Sequence, residues 1–163
     1  MSTSMLDQLY REVILDHHRH PRGRHHLHRV DIEESGLNPS CGDEVTLQFE
    51  LDGDIIKDVA VIGRGCAVST ASGSMLAELI KGKSIEDARK IAEIFKRIMH
   101  GDDPPSEIDL GDLEALTGVR QFPVRVKCAL LPWVTLLHAA VAASNERRTP
   151  GNDEGEAAAH GDG

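Results

Sequence analysis

Aromatic side chains are scarce in this sequence: one Trp, one Tyr and three Phe, 3% of 163 residues. The core must therefore rest on aliphatic packing, and recognition of single strands by rows of stacked rings is disfavoured. Positive charge is also in deficit. With 27 Asp and Glu against 18 Lys and Arg, the net charge is -9, which argues against nucleic acid and anionic membrane surfaces as partners. No apolar run is read as reaching the roughly 20 residues of a membrane span. The opening MSTSMLDQLYREVILD lacks a basic stretch followed by an apolar core, so no secretory signal is expected. Cysteines number only three. Any disulfide would leave one over, which points to a reducing, cytoplasmic setting and to thiols kept for chemistry or metal.

The remaining composition, 40% hydrophobic and 28% charged, is that of one globular domain. Leu6, Leu9, Tyr10, Val13 and Ile14 follow the spacing of an amphipathic helix that Pro21 and Gly23 close. RVDIEE, 29–34, is read as a short strand. EVTLQFEL, 44–51, alternates Val45, Leu47, Phe49 and Leu51 with polar residues, and DGD at 52–54 turns it into a second strand, 55–62. From Cys66 the pattern becomes helical: 67–80, a segment starting at Ser84, a short helix near 111–117, and a final helix from Phe122 to about Ala143. The expected fold class is α+β, a three-stranded antiparallel sheet covered on one face by helices. The domain is placed at 1–143 and a polar, mobile tail at 144–163.

The three thiols fall at informative positions. Cys41 immediately precedes the strand at 44–51 and Cys66 immediately follows its partner, so the open end of that hairpin brings them together. Cys66 stands at a helix N-terminus, where the helix dipole and free N–H groups favour thiolate. Gly63 and Gly65 permit a sharp turn there. Cys128 lies in the first turns of the final helix, one turn after Arg125 and next to Lys127. Asp43, two residues beyond Cys41, is the candidate fourth ligand. Three thiolates and a carboxylate suit tetrahedral Zn²⁺. The competing reading is three unrelated buried cysteines acting as small hydrophobes.

Other features invite plainer readings. The run DHHRHPRGRHHLHR holds six histidines, His17 to His28, and raises the idea of a second metal site. A helix end carrying cations near its carboxyl terminus, followed by a basic loop, accounts for most of them. His17 continues the stripe of Val13 and Ile14 and is read as a packed histidine. Ser69, Thr70, Ser72 and Ser74 are read as close helix packing, since no histidine partner is evident in sequence. Pro132 withholds the N–H that would bond the Cys128 carbonyl and is read as a tolerated kink.

NPSCGDEV, GRGCAVSTASGSML and FPVRVKCALLPW resemble the three cysteine motifs of the IscU/SufU family of iron–sulfur assembly proteins, over about residues 6–140. The opening LYREVILDHHRHPRGR resembles that family's N-terminal helix. Lys127 stands where IscU scaffolds carry a histidine, and PSEIDLGDLEALTGVRQFP supplies an extra segment typical of SufU. The resemblance implies a zinc-dependent sulfurtransferase that accepts persulfide sulfur from a SufS-type cysteine desulfurase, with a SufBCD-type scaffold downstream. It assigns Cys41, Asp43, Cys66 and Cys128 as zinc ligands, Cys41 as the persulfide acceptor and Arg125 as a basic residue beside the site. It also implies that a desulfurase histidine takes over a zinc position to free the acceptor thiol. A scaffold holding a [2Fe–2S] cluster on the same cysteines is the alternative.

Overall fold

The computed structural model describes residues 2–148. The elements are α1 (Ser2–Arg19), β1 (Ile32–Asn38), β2 (Asp43–Asp52), β3 (Ile55–Arg64), α2 (Ala67–Ile80), α3 (Ile85–Met99), a 3₁₀ helix η1 (Gly111–Val119) and α4 (Pro123–Arg148). One antiparallel sheet has the order β1-β2-β3. Val45, Leu47 and Phe49 point to its buried face, as the alternating pattern requires. That face is covered by α4 over β1 and β2 and by α2 over β3, while α3 packs on α4 and α1 on α2 and η1. The expected α+β class with helices on one face is what the chain adopts.

Three boundaries differ from the sequence reading. β1 begins and ends later than 29–34. The small polar SGLN continues the ladder to the pair Asn38↔Asp43, although those residues carry little strand propensity of their own. Gly36 is tolerated there because a Cβ would run into Thr135 of α4; the strand is set by what packs on it. The short helix near 111–117 is a 3₁₀ helix of nine residues. The last helix runs five residues past Ala143 to Arg148, so the first residues assigned to a tail are helical; 149–163 lie outside the described residues.

The reading of membrane-span length also needs correction. Pro123–Ser144 of α4, 22 residues with mean hydropathy 1.6, is long and apolar enough to cross a bilayer. Polar residues such as Arg125 and Lys127 interrupt the run without lowering its mean hydropathy below that of a spanning helix. Two-thirds of that window is buried against the rest of the fold (67%), which identifies it as the core helix.

Within the serine cluster of α2, Ser72 serves helix packing as expected, whereas Ser74 does meet a histidine, His17, with Nδ1 2.7 Å from its oxygen. Ser72, fully buried, donates to the Ala129 carbonyl at 2.6 Å and accepts from Trp133 Nε1 at 3.1 Å. It joins α2 to α4 on either side of Pro132. Ser72→Ala leaves a buried indole N–H and a carbonyl without this partner, and we expect a loss of about 1–3 kcal/mol, read as a lowered urea midpoint with unchanged slope.

Candidate metal and thiol site

The site is assembled at one edge of the sheet. Residues 39–42 form the turn between β1 and β2, closed by Cys41 N–H and Gly42 N–H donating to the Asn38 carbonyl at 3.2 and 2.9 Å. Cys41 rides on this turn, half-buried, while Asp43 opens β2 and is fully buried. β3 ends at Arg64, paired with Glu44, and two residues later Cys66 caps α2. Its backbone is extended and its sulfur accepts the Ser69 N–H at 3.5 Å. Cys128, fully buried, enters from the second turn of α4.

These separate segments converge. Cys128 Sγ is 3.3 Å from Cys41 Sγ. Donor atoms of Cys41, Asp43 and Cys128 all lie within 4.8 Å of one another. Cys66 sits alongside: its N–H donates to Asp43 Oδ1 at 2.8 Å, and its Sγ is 3.9 Å from Asp43 Oδ2. All four residues singled out in the sequence are therefore at one place, with the tightest triad formed by the other three and Cys66 joined through Asp43. Arg125 is exposed at the rim, its Nη1 3.9 Å from Cys128 Sγ. The adjacent Cys128 and Cys66 sulfurs raise the guanidinium pKa above its ordinary value. Lys127 is exposed as well.

The donor set fits a metal ion. A fully buried carboxylate is costly unless it is paired, and among the described residues no cationic side chain forms an ion pair with Asp43. Its one strong partner is the Cys66 N–H. The thiol of Cys128 is pushed well above the usual range, first by burial and then by its neighbours Cys41, Asp43 and Cys66. Buried Asn38, opposite Asp43 in the ladder, carries a side-chain N–H donor without a partner. Gly65, expected to serve a sharp turn, is required for space instead: a Cβ there would run into Ser69 Oγ and stand 2.5 Å from Asp43 Oδ1. The close approach of this backbone to the carboxylate is what lets Cys66 N–H reach it.

The profile of the NifU-like N-terminal domain matches residues 9–129. The chain belongs to this family, that of the IscU/SufU-type iron–sulfur assembly proteins. It is 47% identical over 131 residues to the zinc-dependent sulfurtransferase SufU of Bacillus subtilis, covering 80% of this chain and 88% of that one. It is 41% identical over 147 residues to the iron–sulfur cluster assembly scaffold protein IscU of Streptococcus pyogenes serotype M1, covering 89% and 91%. Among solved structures, a putative SUF-system scaffold protein of Fervidobacterium islandicum AW-1 superposes with a TM-score of 0.75 at 37% identity, over 79% of this chain and 94% of that one. The N-terminal NifU-like protein of Brucella abortus (TM-score 0.77, 21% identity, 86% and 98% covered) shares the fold.

Two outcomes follow from this geometry. Gly65→Ala forces the Asp43 carboxylate aside, and we expect at least about tenfold weaker metal binding with the far-ultraviolet circular dichroism unchanged, measured by competition with a chelator. Because binding must displace the proton of Cys128, metal affinity should rise with pH, by about tenfold per unit for each proton released. Titration calorimetry in buffers of different ionisation enthalpy counts those protons.

Proposed function

We propose that the chain is a zinc-dependent sulfurtransferase of iron–sulfur cluster assembly, receiving persulfide sulfur on Cys41 from a SufS-type cysteine desulfurase. The observation that carries this reading is the meeting of Cys41, Asp43 and Cys128 within 4.8 Å, with Cys66 beside them. Those four residues would hold the ion. Zinc, when bound, keeps thiols deprotonated while moderating their reactivity. The unequal burial of the cysteines supports assigning the chemistry to Cys41. Cys128 is enclosed by α4 and Cys66 is tied into a helix cap, whereas Cys41 sits on an exposed turn able to present its sulfur outward.

In the transfer step the Cys41 thiolate attacks the outer sulfur of the donor persulfide. The donor S–S bond breaks, the donor cysteine leaves as thiolate, and Cys41 keeps the sulfur as its own persulfide, with no net oxidation. Arg125, the basic residue beside the site, offsets negative charge on the sulfurs. The rim offers a docking face: Leu37 just before the turn, and Phe122 and Val124 at the start of α4, are each more than half exposed (62%, 53% and 58%) beside Arg125 and Lys127. Thiol chemistry of this kind belongs in the reducing cytoplasm, and a SufBCD-type scaffold is the onward acceptor in this reading.

The alternative is a scaffold that assembles a [2Fe–2S] cluster on the same residues; the streptococcal relative is named an iron–sulfur cluster assembly scaffold protein. Desulfurase turnover with and without this chain distinguishes the two. Stimulation, a mass gain of one sulfur atom on Cys41, and a fall to the desulfurase-alone rate in Cys41→Ser with the fold retained are the expected results. Unchanged stimulation by Cys41→Ser, or stable iron uptake in preference to zinc, would discard the transfer reading.

A further inference from the structure

Outside the thiol site, metal-capable side chains meet once among the described residues. His17 is fully buried, as its place in the α1 stripe led us to expect. Its Nε2 lies 2.8 Å from Asp112 Oδ2 of η1 and 3.7 Å from Glu78 Oε1 of α2. Donor atoms of the three residues all lie within 4.8 Å of one another. The other ring nitrogen, Nδ1, is 2.7 Å from the oxygen of buried Ser74, which also accepts the Arg22 N–H at 2.8 Å. The imidazole is held rigidly with Nε2 facing two carboxylates.

We propose that His17, Glu78 and Asp112 form a second cation site, for a divalent ion that favours imidazole and carboxylate over thiolate, such as Mn²⁺ or Fe²⁺. One imidazole nitrogen and two carboxylate oxygens suit such ions. Ligands about 2.0–2.2 Å from one ion stand roughly 3–3.6 Å apart, close to the two separations found. Nδ1–H donating to Ser74 is the outer hydrogen bond that metal-binding histidines use, and it leaves the Nε2 lone pair free. Without the ion, the proton moves to Nε2 and bridges to Asp112, while Ser74 and Arg22 Nη1 (3.3 Å) face Nδ1. Arg22 Nη1, which can only donate, matches this second arrangement, so binding of an ion at Nε2 requires the guanidinium to turn from Nδ1 toward Asp16, its other partner.

Charge also fits. Asp16 and Glu78 flank one guanidinium, Arg22, at 3.1 and 3.6 Å, while Asp112 contacts the His17 ring. Three carboxylates less one cation leave a surplus of two negative charges, the complement of one divalent ion. Arg22 opposes the ion locally, but its contact with Asp16 gives it a second anchor. Glu78 and Asp112 are about half exposed (50% and 47%), so the ion has a path from solvent. Glu78 is twelve residues along α2 from Cys66, about 18 Å of helix, which keeps this site separate from the thiols. An ion here would tie η1 to both α1 and α2.

The test is titration of the full-length, zinc-loaded chain with Mn²⁺. Uptake is counted from the electron paramagnetic resonance of the free ion and located by broadening of proton resonances. One Mn²⁺ per chain is expected, with zinc content unchanged and the His17 ring signals broadened first. Asp112→Asn preserves an acceptor for Nε2–H, so the fold is kept while affinity falls at least about tenfold; Glu78→Gln should do the same. Glu93→Gln, on α3, should leave uptake unaltered. The proposal is overturned by absence of uptake, by uptake that survives Asp112→Asn or Glu78→Gln, or by broadening centred on His25, His26 and His28.

Discussion

The buried carboxylate of Asp43 is the constraint around which this fold is arranged. It opens β2 and accepts the N–H of Cys66 at 2.8 Å, linking the first residue of one strand to the cap of α2. A group of that charge, fully enclosed and without a cationic side chain against it, is unfavourable on its own. Its presence makes sense when three thiols approach the same point. The local backbone follows from it, because Gly65 leaves the space that the carboxylate fills.

From that centre the three cysteines acquire different characters. Cys128 is enclosed within the final helix, itself locked to α2 through Ser72 and Trp133. Cys66 is half-buried and used by its own helix as a cap. Cys41 is carried on a turn of four residues tied by two hydrogen bonds to the Asn38 carbonyl. Two thiols held by helices and one carried on a turn make the three sulfurs structurally unequal. That asymmetry is a property of the elements that carry the residues, since the side chains are chemically identical.

The segment before the last helix has a structural position consistent with its length. As η1 it packs on α1, α2 and α4, burying Leu113, Ala115 and Leu116. Through Asp112 it reaches the buried ring of His17. The N-terminal helix leaves Met5 exposed, and with it Leu6 and Leu9 of the stripe read from the sequence; it is fastened by Val13 and Ile14 against the core and by this polar network. This fastening lies on the opposite end of α2 from Cys66.

Much of this was written in local pattern. The alternation of Val45, Leu47 and Phe49, the DGD turn and the switch to helical spacing after Cys66 located the sheet, the hairpin and α2 with nearly correct boundaries, because each depends on contacts between near neighbours. The hairpin alone also brought Cys41 and Cys66 to one end. β1 was misplaced because its residues carry little strand pattern of their own: its ladder is imposed by pairing with β2 and by Thr135 of α4, the latter far away in sequence. The approach of Cys128 to Cys41, 87 positions apart, depends on how α4 lies across the sheet. The union of His17 with Glu78 and Asp112, which no spacing announces, depends instead on how α1, α2 and η1 meet. The amino-acid order by itself determined which residues turn, extend or coil and where the thiols fall relative to those elements. Only the tertiary structure decided which donors share one point in space, because that depends on long-range helix packing against the sheet rather than on any local preference.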